Sequence, residues 1–305
     1  MNEEQKDISL VEASATEPNF LLGCAVWAFK DWVGSFYPEK SKAADFLRLY
    51  GERLRTVEGN TTFYSVPAPE MVQRWVENTP SGFQFCPKLP RAVTHEGALM
   101  ACLPEALSFV ELMKGLGDRL GPIMVQLPPS YSPVSMADLA EFLIALRRTS
   151  ASVAVEVRHL DWFNERRSVE LNALLTRLGV GRVLLDSRPV YDWEEEGDAD
   201  PQLSSSRRKP KVPLQPVMTA DYTIVRYISH PRRLRNHDYL IEWVRRVDRW
   251  LKAGRRVYFF VHCPREAESP AIAQYFQSQL ENAQVKVPPL PWNQLAKPPD
   301  QLSLF

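Results

Sequence analysis

The chain has 305 residues, 45% of them hydrophobic, and its 37 basic and 37 acidic residues cancel. Such a composition supports a globular protein with a sizeable core and excludes one that wraps nucleic acid by net charge, though not a local basic site. No apolar run approaches the roughly 18 residues of a membrane span, and the acidic start lacks the apolar stretch of a secretory signal. The four cysteines (Cys24, Cys86, Cys102 and Cys263) form no CxxC pair, which leads us to expect reduced thiols in a cytoplasmic protein.

Residues 1–19 are polar and patternless, and a flexible tail is expected there. From Phe20 onward, β-rich runs alternate with segments of helical period. The runs are Leu21–Trp27, Thr56–Thr61, Phe83–Lys88, Pro122–Leu127, Ser152–Arg158, Gly181–Asp186, Tyr222–Ile228 and Arg256–His262. They are spaced by roughly 30–40 residues, enough for a strand, a crossover helix and two loops. Between the first two runs, Phe46, Leu47, Tyr50 and Leu54 share one helical face. Between the last two, Leu240, Val244, Val247 and Leu251 do so, and Gly254 supplies a stop. Eight such units predict an α/β fold, a single (β/α)8 barrel of TIM type over residues 20–283. No GxGxxG follows the first strand, which disfavours a doubly wound sheet.

The interval after strand six is over-long. Residues 190–220 carry an acidic run and then a basic one, and are expected to be an insertion loop, either a solvated one or a lid. Residues 284–300 are proline-rich and should form an extended, unpacked linker that carries the final Gln301-Leu302-Ser303-Leu304-Phe305.

Side chains two apart in a strand share a face. Seven of the runs turn polar at their C-terminal ends: Glu58 with Asn60, Cys86 then Lys88, Met124 then Gln126, Glu156 with Arg158, Leu184 then Asp186, Ile224 then Arg226, and Phe260 then His262. In a barrel these residues would converge on one mouth, the face where barrels place their chemistry. Glu58, Lys88, Glu156 and Asp186 are the candidate catalytic groups. Asn60, Gln126, Arg158, Arg226 and His262 are candidate substrate contacts, joined by Trp27 from an aromatic cluster (Trp27, Phe29, Trp32, Phe36, Tyr37) that would either stack on a sugar or base or pack a loop. The three carboxylates with His262 offer a site for a divalent metal. Lys88, Arg158 and Arg226 suit phosphate or carboxylate oxygens. The alternative is an ion-pair network that only closes the barrel. His95, in a loop after strand three, is either an acid/base group or a surface residue. The basic loop of His230, Arg232, Arg233, Arg235 and His237 is either a phosphate contact or solvated.

Four stretches, GCAVWAFKDWVGSFYP at 23–38, TVEGNTTFYSVP at 56–67, FCPKLPR at 85–91 and VEVR at 155–158, resemble the YecE-like family, domain of unknown function 72. The resemblance covers roughly residues 20–280. It implies a TIM-type barrel and no particular reaction. The family's recurrent polar positions correspond to Glu58, Asn60, Lys88, Glu156, Arg158 and Arg226. The chain departs from the family on the last two strands, with RYISHP at 226–231 in place of an Arg-x-His-Gly stretch and VHCP at 261–264 in place of an asparagine pair. The terminal QLSLF separately resembles the bacterial sliding-clamp-binding pentapeptide. That resemblance implies clamp binding through Gln301, Leu302, Leu304 and Phe305, with two apolar anchors and an orienting amide.

Together these signals lead us to expect a barrel enzyme, a hydrolase or lyase, acting on a phosphate-containing nucleic acid or nucleotide and recruited to the DNA sliding clamp. The alternatives are an enzyme on a small anionic metabolite with an incidental tail, and a non-catalytic ligand-binding adaptor. A mouth filled by its own ion pairs, with no pocket, would favour the adaptor. A closed, narrow one would favour the metabolite.

Overall fold

The computed structural model describes residues 19–192, 200–202 and 208–295. Residues 1–18 of the expected tail, most of the acidic run of the insertion and the clamp-like peptide lie outside the described residues. The strands are β1 Phe20–Cys24, β2 Thr56–Gly59, β3 Gln84–Pro87, β4 Ile123–Gln126, β5 Val153–Glu156, β6 Gly181–Asp186, β7 Tyr222–Ile228 and β8 Arg256–His262. All neighbours pair in parallel, in the order β3-β2-β1-β8-β7-β6-β5-β4. The circle closes at the β3–β4 seam through two backbone bonds, Gly121 N–H to Phe85 O (2.8 Å) and Leu89 N–H to Met124 O (3.0 Å). This is the (β/α)8 barrel that the eight-unit rhythm predicts.

Nine α-helices are seen among the described residues, beside short 3-10 turns: α1 Phe46–Gly51, α2 Thr61–Tyr64, α3 Pro69–Glu77, α4 Arg91–His95, α5 Leu103–Lys114, α6 Met136–Arg147, α7 Glu165–Leu178, α8 His237–Lys252 and α9 Ser269–Asn282. Local chemistry sets their ends and faces. Asn164 caps α7 by accepting the Arg167 N–H at 3.0 Å, and Gly179 ends it in the left-handed region at φ 60°. Helix α8 buries Leu240, Trp243, Val244 and Val247 against the sheet, with Arg245 and Arg249 exposed on the other side. No helix among the described residues is long and apolar enough to cross a membrane.

Apolar side chains fill two shells. The outer shell lies between strands and helices. The inner one is a plug inside the barrel, made by Leu21, Cys86, Met124, Ala154, Val183, Ile224, Tyr258 and Phe260. This plug identifies the inward parity of each strand and forms the floor on which the site stands.

Two segments differ from expectation. The proline-rich stretch packs up to residue 295. Val285 and Leu290 are buried, the Trp292 ring meets Phe36 edge-on at 4.8 Å, and the Trp292 N–H donates to Arg53 O at 3.2 Å. Proline preset an extended backbone here, but the apolar residues between the prolines still gain by leaving water. The C-terminal part of the insertion, after its basic run, is also seated on the barrel. Gln215 accepts from Ser168 Oγ and an Arg182 guanidinium (both 2.8 Å) and donates to Phe163 O (2.9 Å).

Gly23 pairs with Thr56 between β1 and β2, and a Cβ there would lie 1.9 Å from the Thr56 carbonyl oxygen. We expect Gly23→Ala to force the two strands apart and cost at least about 1–3 kcal/mol, read as a lower urea midpoint. An unchanged midpoint would contradict the register described here.

Candidate functional site

Above the plug, the inward positions turn charged. Arg226 on β7 donates through Nε to Glu58 Oε2 (2.8 Å) and through Nη2 to Glu58 Oε1 (3.0 Å), and its Nη1 reaches Glu156 Oε2 at 2.7 Å. Lys88, the residue after β3, donates to Glu58 Oε1 at 2.6 Å and to Gln126 Oε1 at 2.9 Å. Arg158, just beyond β5, holds Glu156 Oε1 at 2.5 Å. His262 closes the ring with Nε2 at 2.8 Å from Glu58 Oε2. A carboxylate only accepts, so this nitrogen carries the proton and Nδ1 is left as an acceptor. Asn60 Nδ2 donates to Ala25 O at 2.7 Å at the edge of the same mouth. Both Glu58 and Glu156 are fully shielded from solvent.

Burial alone would raise the Glu58 carboxyl, but Arg226, His262 and Lys88 outweigh it and hold it well below the usual range. Burial likewise opposes ionisation of Glu156, while Arg158, Arg226 and Lys88 keep it at about 2. Burial lowers His262 to about 4, Glu58 pulling it up and Arg226 pushing it down, so its ring is neutral at pH 7. Burial and then Arg226 lower Lys88 to about 8, against the pull of Glu58 and Glu156. The floor of the site thus carries two negative charges against the positive charges of Arg158, Arg226 and the protonated form of Lys88.

Loops raise walls around this floor and enclose a cavity of about 760 Å³. Six cationic side chains reach it: Lys88, Arg91, Arg158, Arg208, Lys209 and Arg226. Arg208 and Lys209 come from the insertion, so its basic end lines the mouth. Glu266, from the loop after β8, is the carboxylate on the wall. Burial pushes it up to about 8 against the charge of Lys209, so it is mostly protonated at pH 7. Among the described residues its buried Oε1 has no hydrogen-bond partner. His95 joins the lining from α4, edge-on to Phe63 at 5.1 Å. Burial, followed by Arg158 and Arg91, lowers it to about 4. Sequence reasoning left His95 open and did not single out Arg91, Arg208, Lys209 or Glu266. The basic run of the insertion was the one signal pointing toward Arg208 and Lys209.

Two candidate residues lie elsewhere. Asp186 faces away from the mouth. Val183, two residues before Leu185, belongs to the plug, so Leu185 takes the inward position and Asp186 turns to the helices. There it accepts from Arg188 Nε and Nη2 (both 2.9 Å) and from the α8 indole of Trp243 (2.8 Å). Trp27 packs edge-on against Trp75 (5.6 Å) and Phe85 (6.1 Å) rather than lining the cavity. The rest of its cluster is loop packing, with Trp32, Phe36 and Tyr37 buried and the Trp32 indole donating to Glu266 O at 3.0 Å. The donor set does not suit a divalent metal. Glu58 and Glu156 are taken up by guanidinium and ammonium groups, Asp186 faces elsewhere, and among the described residues no three His, Cys, Asp or Glu side chains converge. The basic loop after β7 lies beside a separate hollow with Glu268 and Ile272. Its backbone is organised by Asn236, whose Nδ2 donates to His230 O at 2.9 Å.

An eight-stranded parallel barrel with a charged ring at the strands' C-terminal ends defines the class as a TIM-type barrel. Within that class the chain belongs to the family described as "Protein of unknown function DUF72", which residues 21–295 match. It is 32% identical over 285 residues to UPF0759 protein YecE of Escherichia coli (strain K12), covering 93% of this chain and 99% of that protein. Two solved structures share the fold. A DUF72 family protein of Thermotoga maritima MSB8 superposes with a TM-score of 0.63 at 23% identity, covering 86% of this chain and 99% of that one. One of Enterococcus faecalis V583 gives 0.64 at 16% identity, covering 87% and 98%.

Removing the guanidinium from the ring leaves two buried carboxylates short of partners. Arg226→Met is expected to destabilise the fold by about 3–5 kcal/mol, measured by urea unfolding; a loss under ~1 kcal/mol would contradict the arrangement. Acid should act in two stages. His262 sits at about 4 against an ordinary 6.5, so the unfolded chain takes up this proton first, and its contribution to stability falls as pH drops from about 6.5. Glu58 and Glu156 are held below the ordinary 4.5, so their contribution is present above that pH and lost toward about 2. Glu266, raised to about 8, holds its proton in the folded chain and offsets His262 down to about 4.5, so midpoints should fall most steeply between pH 4.5 and 3, and a flat profile over that range would rule this electrostatic picture out.

Proposed function

We propose that this protein is an enzyme acting on a phosphate-containing substrate, a nucleotide or a nucleic-acid segment, bound in the cationic mouth of the barrel. The observation that carries the reading is the cavity itself. Six cationic side chains line it, its carboxylates are either buried beneath guanidinium groups or protonated, and its volume suits a small ligand. Arg91, Arg158 and Lys209 are the groups we assign to anionic oxygens, as charge-assisted donors, Arg158 from the ring on the floor and the other two from the wall. Glu58, Glu156 and Arg226 position the ring. Lys88, His262 and Glu266 are the groups placed to move protons, since each titrates away from its ordinary value beside the cavity. Asn60 and Gln126 orient their neighbours. Recruitment to the DNA sliding clamp through Gln301, Leu302, Leu304 and Phe305 is the second part of the proposal and rests on the peptide's sequence.

The position of Arg208 and Lys209 over the mouth favours a second reading, an enzyme on a small anionic metabolite. Calorimetric titration with inorganic phosphate, pyrophosphate and a single-stranded oligonucleotide separates the two. The primary reading expects binding of the oligonucleotide as well as the small anions, weakened about tenfold or more in Arg158→Ala through loss of a charged hydrogen bond. Binding of the small anions alone supports the second reading, and no binding of any of them overturns both. For the tail, full-length protein should bind purified clamp at roughly micromolar strength, and a version lacking residues 301–305 should not. Equal binding by the two would remove the clamp from the proposal.

A further inference from the structure

We infer that Lys88 is a covalent nucleophile whose side-chain amine forms an imine with the carbonyl carbon of a phosphorylated aldehyde or ketone. The inference rests on the phosphate reading above and narrows the substrate to one that also carries a carbonyl group.

The first argument is charge. Glu58 and Glu156 are already matched by the two guanidinium groups of Arg226 and Arg158, with Arg226 alone making two bonds to Glu58 and one to Glu156. Lys88 can therefore lose its proton without leaving an uncompensated buried carboxylate. A residue needed only for charge balance would not be surplus in this way. The second is position. The amine stands on the cavity floor just after β3, and bonds to Glu58 on β2 and Gln126 on β4 fix its direction. Burial and the neighbouring Arg226 both disfavour the ammonium form, so an appreciable fraction is neutral near pH 8. The third is the presence of an acid. Glu266 shares the cavity wall and is mostly protonated at pH 7.

The step balances with these groups. The Lys88 Nζ lone pair attacks the carbonyl carbon, a C–N bond forms, and the carbonyl π pair passes to oxygen, which takes the Glu266 proton. Glu266 recovers a proton from the nitrogen and delivers it to the new hydroxyl. The hydroxyl leaves as water, and the nitrogen lone pair closes the C=N bond. The products are a protonated imine, water and the Glu266 carboxylate. The cationic wall holds the phosphate of the same molecule.

The full chain is incubated with glyceraldehyde 3-phosphate or with glyceraldehyde, then treated with sodium borohydride. Borohydride delivers hydride to the imine carbon and leaves a permanent secondary amine, which is located by peptide mass mapping. We expect the adduct on Lys88, at least tenfold more with the phosphorylated aldehyde, and none on residue 88 in Lys88→Arg, which keeps the charge but cannot form the imine. The wild-type map is decisive by itself if that variant does not fold. An unmodified Lys88, or labelling of Lys209 and surface lysines in its place, overturns the imine whether or not phosphate binds by calorimetry. A Lys88 adduct formed equally from both aldehydes upholds the imine and overturns the phosphate reading.

Discussion

One guanidinium organises the mouth of this barrel. Arg226 on β7 bonds simultaneously to Glu58 on β2 and Glu156 on β5, three strands that are not neighbours in the sheet. Desolvating three charges is costly, and the cost is offset only if all three side chains arrive at the same height and aim inward. The interaction therefore constrains strand register around much of the circle. The apolar plug beneath keeps water out from below and makes each of these bonds stronger than it would be in solvent.

What sits on that constraint is asymmetric. The ring is built on strand ends and is rigid, whereas the wall is built on loops that differ in length and origin. Arg91 begins a short helix, Arg208 and Lys209 return from the insertion, and Glu266 follows β8. A rigid floor with a loop-built wall is the usual division of labour in a barrel: the floor holds reacting groups in place and the wall selects what is held. Here the wall is cationic and the floor supplies a lysine, a neutral imidazole and two ionised carboxylates. These features lead us to place most of the anion binding on the wall and the covalent chemistry on the floor, with Glu266 handling protons from the wall.

The departures from the family pattern also make physical sense at this level. Where the resemblance implies an asparagine pair on the last strand, this chain has His262, and its Nε2 occupies the remaining hydrogen-bond direction of Glu58. The strand-seven stretch keeps Arg226, the residue on which the ring depends.

The order of eight strands was legible because parallel strands and their covering helices impose two different periods on the hydrophobic residues. The inward positions at Glu58, Lys88, Gln126, Glu156, Arg226 and His262 were legible because polar residues stood at one parity at the C-terminal ends of largely apolar runs. That signal failed on β6. Val183, Leu184 and Leu185 are apolar on both faces, as a strand buried on both sides must be, so alternation could not say which way Asp186 points. The decision fell to Trp243 and Arg188, 57 and 2 residues away, which offered it hydrogen bonds on the outer side. Trp27 was left open for a related reason, since an aromatic side chain just beyond a strand is equally suited to a ligand or to the neighbouring Trp75 and Phe85. The packed proline stretch and the cationic wall were beyond local pattern altogether. By itself the sequence determined the barrel, its strand order and most of its charged ring, because those follow from periodicity along each element. Only the tertiary structure decided which loop residues meet above the ring and which carboxylates remain ionised, because those depend on distances between segments that no local period encodes.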